Sequence, residues 1–432
     1  MRFPKLFLLT VIAFALGFTL GVNKVSIDWK NYRPNVTVIN KEPPNPNMQL
    51  DLSQLWIVLD KLQTQYYDKT KIDPQKMLSG AITGLVSSLD DPYTLYLPPQ
   101  QNTGFKQTLA GQFEGIGAEL GMQDKLIIVV APLEGSPAQK AGIRAGDAII
   151  KVDGAPTYGW TLNQAVEKIR GQKGTKVLLS VLHKGGSELG DVKDIRVPRD
   201  TISVKSVFLW TKKIQDVDAV DQKAFSKTER ENKVAYIRLS QFGDNTNQEW
   251  LSLVNTLSLN VSKDPSIKGL VLDLRNNPGG YLSDATFIAS EFLPVGKVVV
   301  TQDDGVGNKI DMKVEKQGIL QKIPLVVLIN KGSASASEIL SGALKDYNRA
   351  TIVGETSFGK GTIQTAEDLG GGAGLHVTIA KWLTPKGTWV HQKGIDPDVK
   401  ADMDMKNAAR DAQLEKAIQT LLSNQTVMLK NV

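Results

Sequence analysis

The stretch "VVLINKGSASASEIL", Val326 to Leu340, contains a run of apolar residues, then a glycine turn, then apolar residues at helical spacing. A second stretch, "VLDLRNNPGGYL" from Val271 to Leu282, has the same layout. From about 206 to 400 such strands and helices alternate, and continuous apolar strands are typical of parallel sheets covered on both faces. The sequence therefore predicts an α/β core built from βαβ units.

Both stretches carry glycine where a strand is expected to pass into a helix. Ligand sites in open α/β sheets form at the carboxyl ends of the strands. Glycine lets backbone N–H groups approach a bound group closely, and the first turn of a helix adds unpaired donors. These two junctions therefore contain the ingredients of an oxyanion hole.

The second stretch offers three serines, Ser333, Ser335 and Ser337. Ser335 precedes Glu338 by three residues, which is the spacing of a capping box. Spacing alone favours a structural interpretation in which Ser335 caps the helix, Ser333 lies in the turn and Ser337 follows in the first turn. A serine without a base is a poor nucleophile, so a catalytic role requires a proton acceptor from elsewhere in the chain.

The chain has three histidines that could serve as this acceptor, His183, His376 and His391. His183 lies beside a predicted hairpin tip, and the other two lie in predicted strands or their continuation. Each is better explained as a structural residue. A lysine is the alternative, because Ser-Lys pairs replace Ser-His pairs in some hydrolases.

Lys360 in "GETSFGKGTIQT" is the obvious lysine, flanked by two glycines just after a predicted strand. It can act as a base at neutral pH only if its pKa falls from about 10.4 to about 7 or 8. Burial beside Phe358 and Ile363 would lower the pKa in this direction, and Gln364 could orient the neutral amine. The alternative is a loop lysine that binds an anion, although "FGKG" lacks the spacing of a phosphate-binding P-loop.

Composition excludes several classes of protein. The chain has 432 residues, 41% of them hydrophobic, with a net charge of +6 and no basic run, so it fits two or three globular domains and nucleic acid is not an expected partner. Cysteine is absent, which excludes disulfides, thiolate metal sites and a cysteine nucleophile. With three histidines and no cluster of ligands in register, we expect neither a metal nor a cofactor.

The N-terminus carries the clearest targeting signal. Leu6 to Val22 is an uncharged span preceded by Arg2 and Lys5, and it is just long enough to cross a bilayer. The small residues of Ala13–Ala15 match a signal-peptidase site, but they lie inside the apolar run. We expect a retained single-pass anchor in the cytoplasmic (inner) membrane with the rest of the chain extracytoplasmic; a cleaved signal peptide is the alternative.

Composition and periodicity divide the remainder of the chain. A polar, proline-bearing stretch predicts a tether, and apolar residues at helical spacing predict a small helical domain after it. A run of short β-rich segments with glycine turns comes before the α/β core. The predicted regions are 1–23 (membrane anchor or signal), 24–48 (linker), 49–104 (helical domain), 105–200 (β-rich domain), 201–400 (α/β core) and 401–432 (C-terminal helix).

The order of these motifs closely resembles that of the carboxyl-terminal processing peptidases, the tail-specific serine proteases with a PDZ domain. The resemblance covers about residues 50 to 395 and rests on "GIGAEL", "GSPAQKAGIRAGDAIIKVDG", "DLRNNPGG", "SASASEIL" and "GETSFGKGTIQT". It implies a mixed-sheet α/β protease core of the crotonase-like or ClpP-like kind, with an inserted PDZ domain over 105–200 and an N-terminal helical segment.

The resemblance also assigns roles to residues. The family's nucleophile precedes the loop lysine by 25 residues, which selects Ser335 with Lys360 as its base. The family's glutamine four residues after the lysine matches Gln364. Its oxyanion hole matches the backbone N–H groups of Ala336 and Gly279, with Gly280 as the alternative to Gly279.

The PDZ segment implies recognition of a chain end. PDZ domains add an extended peptide as a strand and hold its carboxylate in a glycine-bearing loop. "GIGA" matches that loop, which gives Gly115, Ile116, Gly117 and Ala118 as substrate-binding residues, although taken alone it could be a hairpin glycine pair. Arg170 resembles a position that couples the PDZ domain to the active site in some relatives.

The implied partners are polypeptides with unstructured, apolar C-termini, and the resemblance also implies a homodimer. Two other functions are compatible with parts of the sequence. A non-catalytic PDZ scaffold is disfavoured by the intact set of Ser335, Lys360 and Gln364. An acyl-thioester enzyme of the crotonase kind is disfavoured by the N-terminal apolar span and the PDZ segment.

Overall fold

The computed structural model describes residues 25–30, 33–38, 51–133, 135–183, 192–404 and 410–430. The predicted membrane span from Leu6 to Val22 lies outside these residues. Within the part of the chain that is described, no helix combines the length and the apolar character needed to cross a bilayer. The backbone divides after Gly80 into two compact units.

The first unit contains a short hairpin and helices. Its elements are β1 Val25–Lys30, β2 Arg33–Val38, α1 Ser53–Gln65, a 3₁₀ turn Lys69–Lys71 and the first half of α2 Pro74–Ser87. β1 and β2 pair antiparallel, with Val25 opposite Val38. The predicted tether over 24–48 therefore missed two strands, whose signal is the alternation of apolar and polar residues in "VSIDWK". The helices α1 and α2 lie within the region 49–104 for which helices were predicted.

The second unit begins with the rest of α2 and with two elements that later reach the site, β3 Leu95–Leu97 and α3 Pro99–Leu109. The β-rich region follows as a six-stranded sheet in the order β10-β9-β7-β6-β5 with β8 beside β7, while β4 pairs with β11 apart from it. The elements are β4 Gln112–Gly115, β5 Ala118–Gln123, β6 Leu126–Pro132, α4 Pro137–Lys140, β7 Ala148–Val152, β8 Ala155–Pro156, α5 Leu162–Ile169, β9 Lys176–Leu182, β10 Val192–Pro198 and β11 Asp200–Ser203.

Helix α5 shows why this region folds as it does. Thr161 caps the helix, its hydroxyl accepting the Gln164 N–H while the Gln164 side chain accepts the Thr161 N–H at 2.8 Å. Ala165 and Ile169, four residues apart and so on one face of the helix, are buried in the core of this domain. Strand β5 pairs with β6 on one side and forms the edge of this sheet.

The α/β core is built on a second six-stranded sheet, in the order β12-β13-β14-β17-β18-β21. All neighbours pair in parallel except the edge strand β12, which is antiparallel to β13. Its elements, with the helices between them, are β12 Val207–Lys213, α6 Lys227–Glu231, β13 Lys233–Leu239, α7 Thr246–Lys263, β14 Ile267–Asp273, α8 Leu282–Ala289, β17 Leu325–Ile329, α9 Ala336–Asp346, β18 Thr351–Gly354, β21 Val399–Lys400 and α10 Ala412–Lys430. The predicted parallel sheet is confirmed.

Both faces of this sheet are covered. On one face Leu270 and Leu272 of β14 pack into a core with α7, α8 and α9. On the other face Val271 packs with Leu414 and Leu421 of the C-terminal helix. This double burial explains why the strands are apolar without alternation.

A third sheet, which the sequence did not reveal, packs against α9. Its strands are β15 Val298–Asp303, β16 Lys309–Lys313, β19 Thr362–Gly370 and β20 Ala373–Leu383, in the order β16-β15-β20-β19, with β3 paired to β20. All of these pairings are antiparallel. This sheet brings β3 and the segment after Lys360 to the carboxyl end of the parallel sheet.

The turn that follows β14 is anchored by a buried ion network. The Arg275 guanidinium donates to the Asp273 carboxylate at 2.6 Å and to Asp411, just before α10, at 2.8 Å. Tyr236 donates its hydroxyl to Asp273 at 2.6 Å. Breaking one of these bonds would leave a buried charge uncompensated, which is strongly destabilising. The network therefore holds in place the backbone that leads into Asn276.

Candidate active site

The two glycine junctions lie side by side at the carboxyl ends of β14 and β17, which are parallel neighbours. The side-chain oxygen of Asn330 accepts the Asn276 N–H at 2.8 Å, and its amide donates to the Asn276 side chain at 2.9 Å. The Asn277 carbonyl accepts the Ala334 N–H at 3.0 Å. These bonds hold the "NNPGG" turn against the "GSASAS" turn.

Ser333 and Ser337 are structural residues. Ser333 donates its hydroxyl to the Leu274 carbonyl at 2.8 Å and accepts the Asn330 N–H at 3.0 Å. Ser337 donates to the Asn277 carbonyl at 2.9 Å. Both side chains are fully buried. Their hydroxyls stabilise the junction and are not available for chemistry.

Ser335 differs from its neighbours in backbone and in environment. It has φ 54° and ψ −115°, a conformation that costs free energy for a residue other than glycine. The N–H groups of Glu338 and Ile339 are donated to the Ser335 carbonyl oxygen at 2.8 and 2.9 Å, and the Ser335 side chain makes no cap hydrogen bond. Ser335 lines a cavity, and its hydroxyl is free there.

Glu338 joins the start of α9 to the lysine loop. This fully buried carboxylate accepts four hydrogen bonds, from the Ser335 N–H at 2.8 Å, the Ser357 hydroxyl at 2.6 Å, the Gly359 N–H at 2.6 Å and the Lys360 N–H at 2.9 Å. The capping-box spacing is thus used, and the same carboxylate fixes the backbone of Lys360 relative to Ser335.

The Lys360 amine is in a largely desolvated environment. Its Nζ lies 5.1 Å from the centroid of the Tyr93 ring. Burial lowers the pKa of Lys360, while the negative charges of Asp91 and Glu338 act in the opposite direction and only partly offset it. The shift favours the neutral amine, which is the form that can accept a proton.

Gln364 and Ser335 line the same cavity as Lys360. The Gln364 amide nitrogen donates to the Thr362 hydroxyl at 3.0 Å and to the Thr378 hydroxyl at 3.1 Å. Since both of its N–H groups are used, the amide presents only its oxygen to further partners.

The glycines of "NNPGG" are required by close contacts. A Cβ on Gly279 would lie 2.7 Å from Ser335 Cβ, and one on Gly280 would lie 1.7 Å from the Phe242 carbonyl oxygen. The Gly279 N–H is donated to the Asn277 side-chain oxygen at 2.9 Å. A parallel β-bridge joins Gly280 to Phe242. Its two hydrogen bonds are made by the neighbours of Gly280, since the Gly279 carbonyl accepts the Phe242 N–H and the Tyr281 N–H is donated to the Phe242 carbonyl. The N–H of Gly280 itself therefore points away from Phe242.

Among the described residues, the Gly280 and Ala336 N–H groups make no hydrogen bond, whereas the Gly279 N–H does. Both free donors lie close to Ser335, because Ala336 follows it in the chain and Gly280 lines the same cavity. Gly280 is therefore a better candidate than Gly279 for the second donor. Sequence alone could not separate the two, because the difference depends on the orientation of the Asn277 side chain.

The cavity that contains these groups has a volume of about 390 Å³ and a largely apolar wall. Its apolar and aromatic lining comes from several elements and comprises Tyr93, Leu95, Phe105, Leu109, Tyr281, Leu282, Ile339, Ile363 and Trp382. Tyr93, Leu95 and Phe105 carry no signal in the sequence that marks them as site residues, because they reach the site through the pairing of β3 with β20.

The three histidines do not contact Ser335. His376 lies in the cavity wall, 4.5 Å from the Phe105 ring, and burial together with the charge of Lys360 lowers its pKa. His391 stacks on Trp389 at 5.0 Å, and His183 pairs with Asp147 at 2.9 Å in the β-rich domain. Lys360 lines the same cavity as Ser335, and Glu338 joins the backbones of these two residues.

The predicted carboxylate loop lies beside the edge strand β5. Gly117 has φ 71°, and a Cβ there would lie 2.6 Å from Ser136 Cβ, so this position requires glycine. The Ile116 carbonyl accepts the Ala138 N–H at 2.8 Å, which fixes the loop to α4. The Arg170 guanidinium lies 5.0 Å from the centroid of the Phe113 ring, in the strand before the loop.

Three family models match the chain. They are peptidase family S41 over residues 233–401, a PDZ domain over 128–182 and the N-terminal domain of the activating protease CtpB over 22–101. The carboxy-terminal processing protease CtpA of Bacillus subtilis (strain 168) is 39% identical over 344 residues, which cover 80% of this chain and 67% of that protein.

The chain belongs to peptidase family S41. CtpB of the same organism is 37% identical over 360 residues, covering 83% of this chain and 69% of that protein, so the chain spans about two thirds of these relatives. A crystal structure assigned to the S41 proteases from Bacteroides fragilis NCTC 9343 matches with a TM-score of 0.53 at 14% identity, covering 89% of this chain and 99% of that one. This likeness shows the fold alone.

Membership in S41 makes the chain a serine-type peptidase. The separate match over residues 128–182 shows that it also has a PDZ domain. The relatives are carboxy-terminal processing proteases, as the sequence predicted. In the described part of the chain, no group of three or more His, Cys, Asp or Glu side chains is arranged to hold a metal ion.

Proposed function

We propose that this S41 peptidase cleaves polypeptides with unstructured, apolar C-termini, with Ser335 as nucleophile and Lys360 as general base. The observation that carries the proposal is the free Ser335 hydroxyl in the same cavity as a desolvated lysine. Glu338 supports the pairing, because its four hydrogen bonds fix both backbones.

In the first half of the reaction, Ser335 Oγ attacks the scissile carbonyl carbon and its proton passes to neutral Lys360. The resulting oxyanion accepts the Ala336 and Gly280 N–H groups, and one such donor contributes about 3 kcal/mol to transition-state stabilisation. The C–N bond then breaks as Lys360 returns the proton to the leaving amine, which leaves an ester on Ser335.

In the second half, Lys360 takes a proton from water as the water oxygen attacks the ester carbonyl. The same N–H groups stabilise the second oxyanion, and Ser335 leaves with the proton returned from Lys360. We assign Gln364 the role of orienting the Lys360 amine through its amide oxygen. No metal or cofactor is needed for any step.

The PDZ domain supplies the preference for a chain end. The edge of β5 can accept an added strand, and the Gly115–Ala118 loop supplies backbone N–H groups for a terminal carboxylate. The apolar wall of the cavity favours apolar side chains beside the scissile bond. An extended chain is required because folded segments cannot occupy both sites.

Three further assignments are part of this proposal. The apolar span from Leu6 to Val22 holds the enzyme in the cytoplasmic membrane as a single-pass anchor, with the catalytic part outside the cytoplasm. The chain forms a homodimer, for which the exposed Trp56, Ile57 and Val58 of α1 offer an apolar surface. The core is of the crotonase-like or ClpP-like kind, and its parallel sheet with sites at the strand ends supports this.

The main test is digestion of a disordered polypeptide with an apolar C-terminus by the full-length chain in mild detergent. The wild type should cleave it, whereas Ser335→Ala and Lys360→Ala should not. Amidating the substrate C-terminus should slow cleavage if the PDZ loop binds the carboxylate. Binding without cleavage by wild type would indicate a scaffold instead, and full activity of Ser335→Ala would exclude the assigned nucleophile.

A further inference from the structure

One carboxylate near the site has no place in the mechanism above. Asp91 lies in the turn between α2 and β3, in the segment "DDPYTLYL". It accepts the Tyr93 N–H at 3.0 Å and the Thr94 hydroxyl at 2.7 Å. Tyr93 is the residue whose ring faces Lys360 Nζ, so Asp91 shapes one wall of the lysine environment.

A chain of hydrogen bonds leads from Asp91 to Gln364. The Thr378 N–H of β20 is donated to the Thr94 hydroxyl at 3.0 Å, which brings Thr378 against the Asp91 turn. The Thr378 hydroxyl accepts the Gln364 amide N–H at 3.1 Å, and the Thr94 hydroxyl donates to Asp91 at 2.7 Å. The order of the chain is therefore Gln364, Thr378, Thr94, Asp91.

The chemistry of Asp91 fixes the direction of the bonds made by Thr94. An ionised carboxylate can only accept hydrogen bonds. The Thr94 hydroxyl must therefore donate to Asp91, which leaves its lone pair to accept the Thr378 N–H and so holds the Thr378 backbone in place. The Gln364 nitrogen is held on the threonine side, and its oxygen is the end left for the lysine amine.

The ionised state of Asp91 is supported by its surroundings. Burial opposes ionisation, but hydrogen bonds from Thr378, Thr94 and the Tyr93 N–H, together with the charge of His391, outweigh it and lower the pKa of Asp91. The charged or titratable groups around Lys360 are Asp91, Glu338, His376 and Tyr93, whose own pKa is raised by burial and by the charges of Glu338 and Asp91. Asp91 is thus one of two anions that raise the lysine pKa against the effect of burial.

We propose that Asp91 is a positioning residue of the active site, which acts through Thr94 and Thr378 to hold the Gln364 amide with its oxygen toward Lys360. The inference rests on the proposed function of Ser335 and Lys360. Asp91 touches neither substrate nor the reacting atoms, so its removal should lower kcat and leave KM unchanged. Displacement of a catalytic group by about 1 Å can reduce the rate by roughly 100-fold.

The first test measures kcat and KM against pH for the full-length wild type, Asp91→Asn and Asp90→Asn. Asp90 is exposed in the same turn and loses the same charge, so it is the matched control. Asp91→Asn should lower the kcat plateau by about 10- to 100-fold. It should also move the acidic limb of the profile of kcat against pH to lower pH. The reason is that the ammonium form of Lys360 loses a stabilising anion, which lowers the pKa of Lys360. Asp90→Asn should leave both unchanged.

The second test removes the relay without a change of charge. Thr378→Val should lower kcat at constant KM, and Thr378→Ser, which restores a hydroxyl, should recover most of the loss. Circular dichroism of each variant checks that it is folded; should Asp91→Asn not fold, the Thr378 pair decides alone.

The positioning role would be overturned if Thr378→Val had the kcat of the wild type. It would also be overturned if Asp90→Asn moved the acidic limb of the pH profile as far as Asp91→Asn does. If wild type itself does not cleave, the proposed function fails instead of this inference.

Discussion

Replacing Glu338 by glutamine removes one charge from the carboxylate that joins Ser335 to Lys360 while preserving its shape. In the wild type, one oxygen of Glu338 accepts from Ser357 and Gly359, and the other accepts from Ser335 and Lys360. Glutamine has one oxygen and one NH₂ group, so its NH₂ group must face one of these two pairs of donors. The less costly orientation places NH₂ toward Ser357 and leaves the Gly359 N–H without an acceptor.

The size of the effect follows from these bonds. An unpaired buried donor costs about 1–3 kcal/mol, and a bond to a charged acceptor contributes about 1 kcal/mol more than a neutral one. The Ser335 and Lys360 N–H groups keep their hydrogen bonds, but each then donates to a neutral amide oxygen in place of a charged carboxylate oxygen. The expected destabilisation is therefore about 3–5 kcal/mol, accompanied by a large loss of kcat as the two residues move apart.

Chemical unfolding followed by tryptophan fluorescence is a suitable assay, because Trp382 donates its indole N–H to the Lys360 carbonyl at 2.9 Å. Glu229 provides the control, since it forms the same capping box with Ser226 at the more exposed helix α6. Glu229→Gln should cost no more than about 1 kcal/mol. Unfolding of Glu338→Gln at the wild-type midpoint, with wild-type kcat, would refute this view of the site.

Three further predictions follow from the geometry. The kcat/KM of wild type should rise with pH as Lys360 loses its proton, along a limb below the ordinary lysine pKa because burial lowers it; a rate independent of pH would contradict a lysine base. Ser337→Ala should destabilise the chain by about 1 kcal/mol, seen in chemical unfolding, because the Asn277 carbonyl loses a buried donor, yet keep kcat. Gly117→Ala should weaken binding of an apolar C-terminal peptide, measured by fluorescence anisotropy, because its Cβ would lie 2.6 Å from Ser136 Cβ; unchanged affinity would place the peptide elsewhere.

Those parts of the fold that depend on neighbours in sequence could be predicted from it. The helix that begins after Ser335 and the parallel strands have strong local signals, namely a cap with Glu338 three residues on and continuous apolar runs. The choice of Ser335 over its neighbours came from its distance along the chain to Lys360. The structure supplies a physical reason for the same choice, since Ser333 and Ser337 have their hydroxyls engaged.

The features that escaped prediction depend on residues far apart in sequence. Tyr93 and Phe105 reach the cavity that contains Lys360, and Asp91 comes close enough for its charge to act on the amine, because β3 pairs with β20; nothing in "DDPYTLYL" indicates that pairing. The antiparallel third sheet was missed for the same reason. The preference for Gly280 over Gly279 depends on one hydrogen bond, which the Gly279 N–H donates to the Asn277 side-chain oxygen and which no sequence pattern specifies.

The most direct test of the central claim is labelling with a phosphonate ester that reacts with activated serine hydroxyls, followed by peptide mass spectrometry. Three serines lie within five residues in "SASAS", so the site of the label is decisive. We predict addition to Ser335 alone, and its loss in Lys360→Ala. A label on Ser333 or Ser337, or labelling of Ser335 that does not depend on Lys360, would contradict the Ser335–Lys360 mechanism.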